Sequence, residues 1–165
     1  MKVAKLVDAN PMLEAFFKDA FDRTNKRIMS AARHGVSEAI NRLKAKTKEN
    51  IAGSWFNGTT SAGRTLRGIT YTVPLVEGVN AYMWKGQATG FVHIMGSQED
   101  DDGTWRLRFF EWGTRNRKSK NGRSYGRIRP SYFFSNAYSS IGSDAIGYIQ
   151  RAISQAIDEM NSSNK

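Results

Sequence analysis

The sequence has no cysteine, 3 prolines and 2 histidines in 165 residues. Without cysteine there is no disulfide, no thiolate zinc site and no cysteine nucleophile. The histidines, His34 and His93, fall in different predicted elements and form no pair at helical spacing, so a histidine-based metal site is not expected. No apolar run approaches the 18 or so residues that a membrane span needs, and no membrane partner is expected. The opening stretch MKVAKLVDANPMLEAFFKDAFD carries acids early and has no apolar core of signal-peptide length, so secretion is not expected either. Neither GxGxxG nor GxxxxGK[ST] occurs, which removes the common phosphate-binding loops.

Basic residues, by contrast, are abundant. Lys and Arg number 25 against 15 Asp and Glu, a net charge of +10. Such a chain seeks acidic company, whether nucleic acid, an anionic surface or an acidic protein. A length of 165 residues with 39% hydrophobic content suits one domain with a core of its own.

Helical periodicity comes first. Asn10-Pro11 reads as an N-cap and first helical residue, opening a short helix to about residue 21 with Leu13, Phe16, Phe17 and Ala20 on one face. Residues 1–24 are expected to form an N-terminal arm, and 25–165 a single domain. Ile28, Ala32, Val36, Ile40, Leu43, Thr47 and Ile51 then recur every three or four residues, predicting a helix roughly 40 Å long at 1.5 Å per residue. Residues 53–65 are rich in Gly, Ser and Thr and read as an extended loop. Period-two patterns predict strands over 68–76, 88–95 and 104–112, with a fourth near 79–84. The acidic turn 98–103 should join 88–95 to 104–112 as a hairpin. After a second extended loop, 113–130, a short helix is expected, then a break or kink at Gly142 and a longer helix capped by Ser143. The predicted class is α+β: an antiparallel sheet of three to four strands packed by a long N-terminal helix and a C-terminal helix.

Candidate chemistry is sparse. Glu111, flanked by aromatics in FFEWGT, could have a raised pKa or take an arginine partner. Asp100, Asp101 and Asp102 sit on a predicted turn, where they would splay into solvent or recruit a divalent cation. No catalytic, cofactor-binding or metal-binding residue is expected, and no cofactor. The stronger signal is the loop itself. Arg115, Arg117, Lys118, Lys120, Arg123, Arg127 and Arg129 lie between Thr114 and Pro130 without one acid. Self-repulsion should keep them extended until a partner neutralises them, with a turn at Asn121-Gly122. Tyr125 could stack on a base, and Trp55 and Phe56 could anchor a second docking loop. Phe109, Phe110 and Trp112 on one side and Tyr132, Phe133 and Phe134 on the other should clamp the loop's two feet.

Glu111-Trp112-Gly113-Thr114, a variable loop, then Arg129-Pro130-Ser131-Tyr132-Phe133-Phe134 with Ala137 following resembles a signature of tailed-phage neck proteins, the HK97 gp10-like family. Arg64-Thr65-Leu66-Arg67-Gly68-Ile69 is similar to that family's lead-in to its first strand, although Gly68 stands where a serine is usual. The resemblance spans about residues 25 to 160. It implies a non-catalytic virion protein in the neck between head and tail, assembled in the host bacterial cytoplasm. Such a subunit forms a homo-oligomeric ring, expected as a hexamer. It would act in tail completion or head–tail joining, between the portal and adaptor proteins and the tail terminator or tail tube protein, with genomic DNA passing through or stopping at the lumen and open to non-specific contact there. On that reading the loop is an assembly arm. The alternative is a non-catalytic, basic nucleic-acid-binding domain.

Overall fold

A computed structural model describes residues 25–58, 60–66, 69–94 and 104–162. The expected N-terminal helix and the acidic turn 98–103 lie outside the described residues. In chain order the elements are α1 (Asn25–Ala52), β1 (Thr60–Leu66), β2 (Ile69–Pro74), a 3-10 turn (Leu75–Gly78), β3 (Asn80–Met83) and β4 (Gly90–His93). There follow a second 3-10 turn (Thr104–Arg106), α2 (Leu107–Trp112), β5 (Arg117–Lys118), β6 (Ser124–Gly126) and α3 (Phe133–Ser162). The class is α+β, with a long helix at each end of the described chain.

The strands form three separate two-stranded sheets, β1–β2, β3–β4 and β5–β6, in place of one sheet of three or four. The error has one main source. Residues 104–112 alternate in sequence but fold as a 3-10 turn running into α2. Leu107 and Glu111 are buried and Phe110 packs on the core, a helical i, i+3, i+4 spacing that overrides the period-two pattern. β4 pairs back to β3 instead. Residues 60–65, expected as loop, are the strand β1, antiparallel to β2 from Thr60↔Pro74 to Leu66↔Ile69. Gly142 does not break the last helix, which runs unbroken over 30 residues. A mid-helix glycine costs only about 1 kcal/mol relative to alanine, and Ala137 and Ala145 on either side are both buried.

The chain divides into two compact units, each with its own packing. The first comprises residues up to Arg42, Ala81–Phe91 and Ile141 onward. In it α1 and α3 run antiparallel and come within backbone contact. A Cβ on Gly35 would lie 2.6 Å from the Cα of Ile149. Ala39, Ala145 and Tyr148 make the buried cluster beside that crossing. Arg42 and Arg151 place their guanidinium groups 4.5 and 4.9 Å from the Tyr148 ring centroid, and Glu38 holds Arg42 at 2.8 Å. The β3–β4 hairpin lies on α1, where a Cβ on Gly90 would meet the Ile40 side chain at 2.9 Å. Tyr82 and Phe91 stack across its two strands at 5.5 Å.

The second unit comprises Leu43–Asn80 and Val92–Ser140. Its core is Ile51, Phe56, Leu75, Val79, Ile94, Leu107 and Phe133, backed by Val76, Val92, Phe110 and Phe134. Within it the end of α1 supplies Leu43, Thr47 and Ile51, all buried. The buried Thr47 hydroxyl is satisfied by donating to the Leu43 carbonyl at 2.7 Å. Asn50 reaches across to the Phe133 carbonyl at 2.9 Å, tying the end of α1 to the start of α3.

Gly35→Ala pits two effects against each other. Helix propensity favours alanine by about 1 kcal/mol, whereas forcing apart two backbones in contact costs about 1–3 kcal/mol. The clash is with Ile149's own backbone, which cannot rotate away, so net destabilisation is expected. A lowered denaturant midpoint with unchanged slope would register it.

Candidate functional site: a basic hairpin on a polar clasp

α2 ends at Trp112 and α3 begins at Phe133, so the basic segment leaves and rejoins the second unit between two helix termini. A helix end leaves carbonyls without partners, and a helix start leaves amides without them. Here each terminus supplies the other. The Phe110 carbonyl accepts hydrogen bonds from the Ser131 backbone N–H at 2.8 Å and from its hydroxyl at 3.0 Å. The Glu111 carbonyl accepts from the Tyr132 N–H at 3.2 Å. In return the fully buried Glu111 side chain reaches the first turn of α3. Its Oε2 accepts from the Phe134 N–H at 2.8 Å, and its Oε1 from the Ser135 N–H at 3.0 Å and the Ser135 hydroxyl. The carboxylate thus caps a helix from outside it, where free amides and the positive end of the helix dipole favour a negative charge.

Of the two readings open for Glu111, the arginine partner is not what the structure places there: its partners are backbone amides and a serine. One signal was available. The residue just before α3 is Tyr132, which has no short polar side chain to cap with, so the cap must come from elsewhere. Tyr132 also has φ 52°, a left-handed conformation rare for a bulky residue. Both of its backbone groups are engaged, its N–H with Glu111 and its carbonyl with the Asn136 N–H at 2.8 Å, and this holds it there.

The next two residues close the base. Gly113 has φ 72°, and a Cβ on it would come 2.8 Å from the Ile128 carbonyl oxygen and 2.9 Å from Pro130 Cδ, so only glycine fits. The Thr114 N–H donates to the Ile128 carbonyl at 3.0 Å. Its Oγ1 accepts from the Ile128 N–H at 2.9 Å. Pro130 packs on Gly113 with no N–H to leave unpaired, and Phe133 goes into the core.

Above this base the loop is folded. β5 and β6 pair antiparallel, Arg117 with Gly126 and Lys118 with Ser124. The tip closes through Ser119, whose N–H donates to the Arg123 carbonyl at 2.8 Å and whose hydroxyl accepts from the Arg123 N–H at 3.0 Å. Gly122 supplies the positive φ, 77°, as Asn121-Gly122 predicts. The expectation of an extended segment that orders only on a partner is therefore corrected, because the repulsion is outweighed by local hydrogen bonds. Arg115, Arg117, Lys118, Lys120, Arg123, Arg127 and Arg129 are all exposed. Among the described residues none of them makes an ion pair. Tyr125 is exposed on β6.

Two other site residues part company. Trp55 is 64% exposed, but Phe56 is buried, stacked on Phe110 at 4.5 Å and 5.6 Å from Phe133. Phe56 is thus a core residue and not a docking anchor. The aromatic clamp is likewise half right, since Phe110, Phe133 and Phe134 pack inward while Trp112 and Tyr132 face out. Gly122-Arg123-Ser124-Tyr125-Gly126 has the G-x-S-x-G spacing of a nucleophile elbow, which needs a sharp strand-to-helix turn. Here Ser124 lies in an exposed hairpin, its hydroxyl donating to Asn116 Oδ1 and accepting from the Gly126 N–H. That setting activates nothing. His93 is half-buried on β4, where burial lowers its pKa. Among the described residues no three His, Asp or Glu side chains gather as a metal site, and no helix is long and apolar enough to cross a membrane.

No family model, no curated protein and no solved structure matches the chain.

Glu111→Ala leaves two helix-terminal amides, of the half-buried Phe134 and the exposed Ser135, without their acceptors and should cost about 2 kcal/mol. Glu111→Gln, which keeps one acceptor oxygen, should cost roughly half of that. Equilibrium denaturation measures both. A cost below that of an ordinary surface substitution, about 0.5 kcal/mol, would show that the clasp contributes nothing.

Proposed function

We propose that this chain is a structural subunit of a tailed-phage neck, forming a ring that joins the portal and adaptor end of the head to the tail. The observation that carries the reading is the finger from Arg115 to Arg129. It is cationic throughout, folded, and held at its foot by Glu111, Gly113, Thr114 and Pro130. Those four residues belong to the stretch that resembles the neck-protein signature, and each occupies a place where its residue type is needed. A motif whose members build a base for a projecting charged hairpin suits an assembly arm, since charge complementarity speeds encounter and sets register between subunits. On this reading the finger docks on an acidic face of an adjacent subunit or connector ring, and the chain performs no chemical step.

A second reading, a nucleic-acid-binding domain, draws on the same charge together with the exposed Tyr125. The two part on salt. A finger whose cations all met DNA phosphates would give sequence-independent binding with a log–log salt slope of about −6.

Deleting residues 117–125 tests the assembly arm. Particles carrying the deletion should accumulate as unjoined heads and tails. The purified subunit should keep its helical circular dichroism and its unfolding midpoint within about 0.5 kcal/mol, because β5 and β6 contribute no core residue. Wild-type joining by the deletion protein, or DNA binding with the slope above, would sink the neck reading.

A further inference from the structure

The C-terminal part of α3 presents a conflict between pattern and burial. Ile146, Ile149, Ile153, Ile157 and Met160 recur at helical spacing, the mark of a face that packs on something. Yet Ile146 is 53% and Ile157 39% exposed, and from Gln150 to Ser162 no residue is buried. The cleft between α1 and α3 does not account for the stripe, since only Met160 of the five lines it. The charged residues of α3 are Asp144, Arg151, Asp158 and Glu159. At about 100° per residue, all of them stand about 120° or more around the helix from Ile153, whereas the apolar five fall within about 40° of it.

We propose that this stripe pairs with the same stripe of a second copy of the chain, antiparallel, about a two-fold axis at Ile153. The spacing argues for it. The stripe is symmetric about Ile153, with Ile149 and Ile157 four positions away on either side and Ile146 and Met160 seven positions away. Turned end for end, it meets itself in register. Ile153 faces its counterpart, Ile149 faces Ile157 of the other copy, and Ile146 faces Met160 of the other copy. A two-fold contact demands a patch complementary to itself, and this spacing supplies one. Charge agrees. In a chain of net charge +10 the stripe offers no cation, so an acidic protein or a nucleic acid would gain nothing there. Burying one uncharged stripe against another strands no ion. The stripe runs about 21 Å at 1.5 Å per residue. The contact is therefore small beside a standard interface of about 1,600 Å², and micromolar rather than nanomolar pairing is expected. A ring is built from head-to-tail contacts, which a two-fold contact is not, so the proposal is independent of the neck reading.

The absence of cysteine makes the test clean. Helices packed about 8–10 Å apart, with Cα atoms at a radius of about 2.3 Å, bring facing Cα atoms within disulfide reach. Under mild oxidation of the full chain, Ile153→Cys should cross-link two chains at least about tenfold faster than Gln155→Cys, which lies on the opposite side of α3. A mixture of the Ile146→Cys and Met160→Cys proteins should give the mixed dimer in preference to either self-linked one, because the antiparallel register brings those two positions together. The unaltered chain gives an independent reading, since its sedimentation should show a reversible step from one chain to two across the micromolar range. Ile157→Asp, at a position already exposed in the lone chain, should keep the helical circular dichroism. It should raise the dimer dissociation constant at least about tenfold, because each dimer then buries two carboxylates against isoleucine. A wild type that stays a single chain up to its solubility limit, equal cross-linking by Ile153→Cys and Gln155→Cys, or self-association indifferent to Ile157→Asp would overturn the proposal. So would Ile146→Cys linking to itself faster than to Met160→Cys, which would assign the stripe to a parallel pairing.

Discussion

One buried carboxylate sets the geometry of the finger. Glu111 belongs to α2, yet its side chain satisfies the opening amides of α3, while the α2 backbone takes up the N–H groups of the chain approaching α3. Two helix ends that would each need water or a cap of their own meet that need mutually. The approach this enforces leaves no room for a side chain at residue 113 and brings Thr114 within bonding distance of Ile128. The finger's direction follows from these constraints at its foot.

This polar arrangement works alongside an aromatic one. Phe56 stacks on Phe110 and lies tilted against Phe133, so the same two helices that exchange hydrogen bonds are also bridged by a ring from the turn after α1. Trp55 lies across Phe110 at 5.6 Å and Arg108 over Trp105 at 4.9 Å, extending the aromatic packing to the surface. Burial and hydrogen bonding therefore act on the same residues: Phe110 and Phe133 give rings to the core and carbonyls to Ser131 and Asn50. Neither could shift without the other.

How much of this the sequence disclosed depended on the range of the forces involved. α1 was legible because its apolar repeat is local: Val36, Ile40, Leu43, Thr47 and Ile51 are buried as their spacing predicts. The turn at Asn121-Gly122 and the strands β2, β3 and β4 were legible for the same reason. α2 was misread because Trp105, Leu107 and Phe109 alternate like a strand, and only the nonlocal demand of the α3 terminus draws Glu111 inward. The reading of 142 as a break failed because a weak local preference was opposed by packing on both sides. At the candidate site the charges were plain in the sequence, but the clasp was not, since it joins residues more than twenty positions apart. Phe56 shows the same blindness, as nothing beside it in sequence separates a core ring from its exposed neighbour Trp55.

The finger's internal bonding bears on how it would meet another molecule. Its tip and both strands are already hydrogen-bonded in the lone chain, so a partner need immobilise little more than arginine and lysine side chains, at roughly 0.5–1.5 kcal/mol each. A rigid probe of this kind gives up little freedom on contact, and it can also be released without unfolding. Residence time would then be governed by the ionic contacts themselves, which makes the finger suited to trial and error before a final seating.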